Sequence, residues 1–221
     1  MSRRITDALA SPGNPHSFSA RARARRWQEF LRRFPDLAKL KVLDLGGTPD
    51  YWRNASPRPL TVTLVNTDAS LTADEDWMRL LVADASLPPL TERFDLVVSN
   101  SLLEHIPMSS RQDFADSVRR HGDRWWVQTP NRGFPLEPHW LFPFFQFLPV
   151  NLRILLTRRW PLGHRHARST HEAALLVEEV NLVGRNELRR YFPESEIWVE
   201  RAAGLPKSIV AISRTDLASA S

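Results

Sequence analysis

Residues 41–50, Lys-Val-Leu-Asp-Leu-Gly-Gly-Thr-Pro-Asp, constrain the fold more than any other stretch of the chain. The apolar run Val42-Leu43 leads into an acid, Asp44, and then into the glycine pair Gly46-Gly47. A buried parallel strand ends in this way when a ligand must lie across its tip: glycine lets the backbone turn sharply and removes the Cβ that would hold a ligand off. Strand-then-glycine turns are common, so the stretch draws its weight from the strands downstream of it. Leu60-Thr-Val-Thr-Leu-Val65 is β-branched and reads as a second strand, and Phe94-Asp-Leu-Val-Val-Ser-Asn100 as a later one.

With 221 residues, 42% of them apolar, the chain can bury the core of one α/β domain. It has no cysteine, which excludes disulfides, thiolate metal sites and a cysteine nucleophile. The N-terminus lacks the apolar core of a signal peptide, and no apolar run reaches membrane-spanning length, so a cytoplasmic protein is expected. The formal charge is +5, and only Lys39, Lys41 and Lys207 are lysines. This arginine bias is read first as a compositional habit and second as a means of holding anions in bidentate fashion.

Along the chain, residues 1–16 form a loose arm and 17–34 an arginine-rich helix with Phe18, Trp27, Phe30 and Leu31 on one side, stopped by Pro35. Strands are expected at 41–45, 60–65, 82–83, 95–99 and 125–128, with short helices over 71–81 and 109–120. A helix near 186–191 and two closing strands, 196–200 and 208–212, complete the pattern. Alternating strands and helices predict a doubly wound α/β sheet, and the closing pair an antiparallel edge. Residues 135–156 hold four prolines and five large aromatics; they are apolar but irregular, and the prolines argue against a regular helix there. Residues 132–172 as a whole are read as an insertion on the substrate side of a single domain spanning 1–221.

Four stretches in order give the chain a resemblance to the class I S-adenosylmethionine-dependent methyltransferases of the small-molecule type, the methyltransferase-11-like group. Val42-Leu-Asp-Leu-Gly-Gly47 resembles the glycine-rich first motif, and Asp84-Ala85 with Leu87-Pro-Pro89 the acidic motif that meets adenine. Phe94-Asp-Leu-Val-Val-Ser-Asn-Ser-Leu-Leu-Glu-His105 is similar to the fourth-strand motif, and Thr129-Pro-Asn131 to the end of strand five. The resemblance implies a Rossmann-like sheet of seven strands with helices on both faces, the last strand antiparallel and inserted beside the fifth. It implies S-adenosyl-L-methionine as cofactor, with Asp44, Gly46 and Gly47 at its amino-acid end. Asn66 or Asp68 would meet its ribose, Asp84 and Ala85 its adenine, and Asn100 and Ser101, at the tip of strand four, would also contact the cofactor. Two departures from the pattern stand out. The first motif has adjacent glycines where the family alternates them, and Asn66 occupies the place of the usual acid.

Methyl transfer asks the protein to align an acceptor and, where needed, to remove a proton. His105, just past strand four, and His139, in Glu137-Pro-His-Trp140, are the base candidates because imidazole titrates near neutrality. His105 has a plainer reading, as a histidine packed at a helix start, and His139 could line the acceptor pocket. The run Asp74-Glu75-Asp76 and the histidines at 164, 166 and 171 lack metal-ligand spacing, so no metal site is expected.

The expected partner is a small-molecule or lipid-linked acceptor, methylated at oxygen. Arg153, Arg158 and Arg159 beside the aromatic insertion would suit peripheral contact with an anionic membrane. Nucleic acid is disfavoured, since no nucleic-acid-binding module accompanies the arginines. The chain carries no signal of oligomeric state. The alternative is a non-catalytic Rossmann-like binding or scaffold protein that has kept the fold.

Overall fold

A computed structural model describes residues 18–160 and 167–214. The expected N-terminal arm, the histidines at 164 and 166, and the side chains of Phe18 and Arg21 lie outside the described residues. The chain runs through α1 (Phe18–Arg33), β1 (Lys41–Leu45), α2 (Pro49–Arg53), β2 (Thr61–Asn66), β3 (Met78–Val82) and β4 (Leu96–Asn100). It continues with α3 (Arg111–His121), β5 (Trp125–Pro130), a two-stranded hairpin of β6 (Leu136–Glu137) and β7 (Phe142–Pro143), then α4 (Val150–Arg159), α5 (Thr170–Glu179), α6 (Arg185–Tyr191), β8 (Glu196–Ala202) and β9 (Leu205–Ile212).

Seven strands form one sheet in the order β3-β2-β1-β4-β5-β9-β8. The first five are parallel to their neighbours, and β9 enters antiparallel between β5 and β8. This is the architecture expected from the alternating pattern and from the resemblance. Its cause is visible in the strands, whose successive side chains point to opposite faces. Leu43, Val97, Trp125, Val127, Ile209 and Ala211 enter one core with Phe114 and Val118 of α3 and Leu188 of α6. Val42, Leu96, Val98, Trp126, Val210 and Ile212 enter the other with Phe30 of α1 and Trp52 of α2. Both faces of the sheet are therefore covered, which a parallel sheet requires.

Three expectations need correction. Residues 71–77 form no helix, and the third strand is Met78–Val82 rather than 82–83. Leu80 and Leu81 are spaced for either element, and the parallel pairing of Met78–Val82 onto Val62–Asn66 decides for strand. The helix Thr170–Glu179 is an addition to the expected pattern; it starts at the N-cap Ser169, whose hydroxyl accepts from Glu172 N–H at 3.0 Å. In the insertion a regular helix does form, at Val150–Arg159, directly after Pro149 at its N-cap position. The last proline there starts a helix rather than breaking one, because the first helical turn has no need of that N–H. The insertion packs a small third core against α5, in which Trp140, Phe145 and Val177 are buried and Phe142, Leu148 and Ile154 pack against them.

Candidate active site

The carboxyl end of β1 carries the first cluster. Asp44 is 1% exposed, and its Oδ2 accepts from Trp52 Nε1 at 2.8 Å. Its other oxygen, Oδ1, is buried with no hydrogen-bond partner among the described residues. Burial pushes the carboxyl up to about 7, only partly opposed by the Trp52 hydrogen bond. Gly46 turns the chain at φ +81°, its N–H bonded to Val65 C=O at 2.8 Å. A Cβ on Gly47 would lie 1.9 Å from Asp44 Oδ2, so this glycine is bare because the carboxylate packs against it.

Asn66, at the end of β2, ties this turn down. Its Nδ2 donates to the carbonyls of Gly46 and Gly47 at 3.3 and 2.9 Å, and its Oδ1 accepts from Asp68 N–H at 3.0 Å. Asp68 is exposed and accepts from the Ser70 N–H and hydroxyl. Past β3, Asp84 is exposed and makes the same turn with Ser86, while Ala85 is buried in the core. At the tip of β4, Asn100 Oδ1 accepts from Trp126 Nε1 at 3.3 Å. Ser101 sits at φ +55°, a left-handed conformation that strains a non-glycine residue and clusters at functional sites. Its N–H donates to Gln128 C=O at 2.9 Å. Thus Asp44, Gly46, Gly47, Asn66, Asp68, Asp84, Ala85, Asn100 and Ser101 all fall along the carboxyl ends of β1 to β4, where open α/β sheets take ligands.

A cavity of about 550 Å³ opens at this edge, lined by Arg23, Arg26, Trp27, Tyr51, Asn54 and Asn100 among others. Arginines of α1 thus reach the site, but Arg26 is already engaged by Glu200 at 2.9 Å and Gln128 at 3.0 Å. Arg33 is likewise paired with Glu29 and Glu196.

The second cluster lies beyond β4 and β5. Glu104 is 1% exposed; its Oε2 accepts from Thr129 Oγ1 at 3.0 Å, and its Oε1 is buried without a partner among the described residues. Burial raises its carboxyl to about 7. Glu137, also buried, accepts through Oε2 from the N–H groups of His139 and Trp140, and its Oε1 bonds His139 Nδ1 at 2.7 Å. Pro138 has no N–H to offer, so this carboxylate organises the turn and orients the ring. The rings of His105 and His139 meet edge to face, 5.3 Å apart between centroids. Burial, with the neighbouring His139, lowers the His105 pKa. Burial also opposes the charge on His139, but the Glu137 hydrogen bond and charge outweigh it and raise its pKa. The structure therefore brings the two predicted histidines together. It adds two carboxylates, Glu104 and Glu137, that lie within the sequence motifs but carry no expected role there. Their only signal was an acid set among apolar neighbours. Beside this cluster, a cavity of about 470 Å³ is lined by Arg132, Glu137, Trp140, Phe145, Arg153 and Asn181 among others.

No protein-family model matches this chain, and no curated protein sequence does. Solved structures do match. The magnesium protoporphyrin IX methyltransferase ChlM from Synechocystis PCC 6803, with bound SAH, superposes with a TM-score of 0.57 at 11% identity, covering 96% of this chain and 92% of that one. The DhpI–SAH complex gives 0.55 at 17% identity, covering 96% and 94%. The N-methyltransferase NodS from Bradyrhizobium japonicum WM9 gives 0.53 at 12% identity, covering 87% and 95%. At these identities the likeness establishes the fold, which is that of the class I methyltransferases.

Proposed function

We propose that this chain binds S-adenosylmethionine along the carboxyl ends of β1 to β4 and transfers its methyl group to an oxygen of a small-molecule acceptor. The observation that carries the reading is Asp44, a carboxylate in the buried end of β1 with one oxygen idle beside a left-handed glycine turn. An unpaired buried carboxylate is costly, and a ligand ammonium group would complete it. Two of the structural neighbours above hold SAH, which carries such a group. When bound, the cofactor supplies an electrophilic methyl carbon. The chain's own part is to hold it: Asp44 at the ammonium, Asn66 keeping the glycine turn closed, Asp68 at the ribose, Asp84 and Ala85 at the adenine, and Asn100 and Ser101 near the reacting end.

On the acceptor side, His139 is fixed through Nδ1 by Glu137, which leaves Nε2 to receive a hydroxyl proton. His105 stands against it. The insertion supports an amphiphilic acceptor. Phe144, Phe147, Val150 and Leu155 are exposed there, with Arg158 and Arg159 also exposed at the end of α4. Such a surface suits contact with an anionic membrane. Among the described residues, no helix is long and apolar enough to cross one. Incubating the protein with methyl-labelled S-adenosylmethionine and separate aqueous and lipid extracts tests the reading. Label is expected in an alkali-stable product of one extract. Label in neither extract overturns the proposed activity.

A further inference from the structure

We propose that Glu104, His105 and His139 form a binding site for one divalent transition-metal ion, with Glu137 as the residue that orients His139. The ligating atoms of the three lie within 4.8 Å of one another, although Glu104-His105 and His139 come from different parts of the chain. The spacing fits an ion after small side-chain shifts, since ligands around a tetrahedral zinc ion lie about 3.4 Å apart.

The surroundings are those of metal ligands rather than of a packed histidine pair. A ligating histidine usually gives its second ring nitrogen to a carboxylate or a backbone carbonyl, which fixes tautomer and orientation. His139 does so: its Nδ1 meets Glu137 Oε1 at 2.7 Å, and the ring of His105 stands edge to face against it. Glu104 supplies an independent sign. It is 1% exposed, one donor reaches it, and its Oε1 is buried with no partner, while no arginine or lysine forms a salt bridge with it among the described residues. Glu137 makes the contrast: three donors from the adjacent turn meet its two oxygens. Where a buried carboxylate has an oxygen without a donor and no salt bridge, a bound cation removes the deficit.

The donor set of two imidazoles and one carboxylate suits zinc, cobalt, iron(II) or manganese, and not the all-oxygen shells of calcium or magnesium. Three protein ligands leave at least one position open, as in sites where a metal acts on a substrate. Glu137 also lines the cavity of about 470 Å³, which places that cavity beside the site. An acceptor oxygen entering from there would reach the open position; this role, unlike the binding itself, rests on the methyltransferase reading. With the ion in place, His139 would be a ligand rather than a base; the ion would lower the pKa of the acceptor hydroxyl, and its proton would pass to solvent water in the cavity.

The full-length protein, stripped with a chelator and then titrated with cobalt(II) chloride, tests the site directly. The expected result is one equivalent bound, with visible absorption bands of nitrogen–oxygen coordination that zinc displaces. Glu104→Gln and His139→Asn should each abolish the spectrum. Glu137→Gln should weaken binding roughly 10- to 100-fold, the effect of losing an outer hydrogen-bond partner. Wild-type protein that shows no cobalt spectrum at about 1 mM metal overturns the proposal, as does a spectrum that survives both ligand substitutions. Binding of SAH by the stripped protein, measured by calorimetry, separates the two readings. Cofactor without metal sinks this inference alone, and metal without cofactor sinks the methyltransferase reading alone.

Discussion

Asp44 and Glu104 lie at the same edge of the sheet, one closing β1 and the other four residues past β4, and each keeps one buried oxygen without a partner. Their settings are built in opposite ways. The Asp44 setting is local: the carboxylate, the glycine turn packed on it and the Trp52 donor all fall within residues 44–52. The Glu104 setting gathers Thr129 from β5, the neighbouring His105 and His139 from the hairpin insertion. A local setting keeps its geometry as long as its strand is paired. A gathered one depends on the insertion's separate core. The cofactor side and the acceptor side should therefore respond independently to substitution.

The largest expected effect tests that independence at the chemistry. His139→Ala should lower methyl transfer by about 10²–10⁴-fold, the usual worth of a positioned acid–base or ligand group, while leaving SAH affinity within about twofold. Equal loss of both, read from turnover and calorimetry, would show that the two sides are coupled. Next comes Trp140→Ala. Trp140 is 6% exposed, stacks on Phe145 at 4.3 Å and donates to Thr157 Oγ1 at 2.8 Å. It is core to the insertion, and its loss should cost about 3–5 kcal/mol there by denaturant titration. Cofactor affinity should not change, because the insertion's core is distinct from the two that flank the sheet.

The third effect concerns pH. The folded Asp44 holds its proton up to about 7, well above the ordinary value of 3.8. The unfolded chain releases that proton first, so this group's contribution to stability is intact below about 4 and falls as pH rises to about 7. Asp44→Asn should remove the fall, leaving the variant more stable than wild type at pH 8 by at most about 4 kcal/mol. Melting curves from pH 4 to 8 that run parallel for the two proteins would show that Asp44 is ionised in the free protein.

The smallest effect sharpens the local side. Asn66 donates to two turn carbonyls, and Asn66→Asp would set a carboxylate against them. Loss of roughly 1–3 kcal/mol in stability is expected, with weaker cofactor binding. Tighter binding at unchanged stability would show instead that the position meets the ribose as an acceptor.

The same contrast explains what the sequence disclosed. Strands β1, β4 and β5 were legible because each holds a short run of consecutive apolar residues, and β2 because it is rich in β-branched residues; the glycine turn was legible because its meaning is confined to neighbouring residues. Met78–Val82 was not legible as a strand, because a short apolar run at an edge looks alike in helix and strand until its pairing is known. The roles of Glu104 and Glu137 were illegible for another reason. Nothing along the chain says that residues 104 and 139 come together, nor that Glu137 turns its carboxylate back onto the two residues following Pro138. Asn66 shows the limit of motif reading: a place at the end of β2 suggested the ribose, while its amide donates to the carbonyls of the glycine turn.

A cofactor ammonium group completes Asp44 in the reading proposed above. Calorimetric titration with SAH at pH 7, run in two buffers of different ionisation enthalpy, measures binding and proton exchange together. A ligand ammonium beside Asp44 favours the ionised carboxylate, so the account predicts one cofactor per chain with net proton release, and no such release from Asp44→Asn. Wild-type protein that takes up no SAH at about 1 mM, or binds it without releasing a proton, would contradict the account.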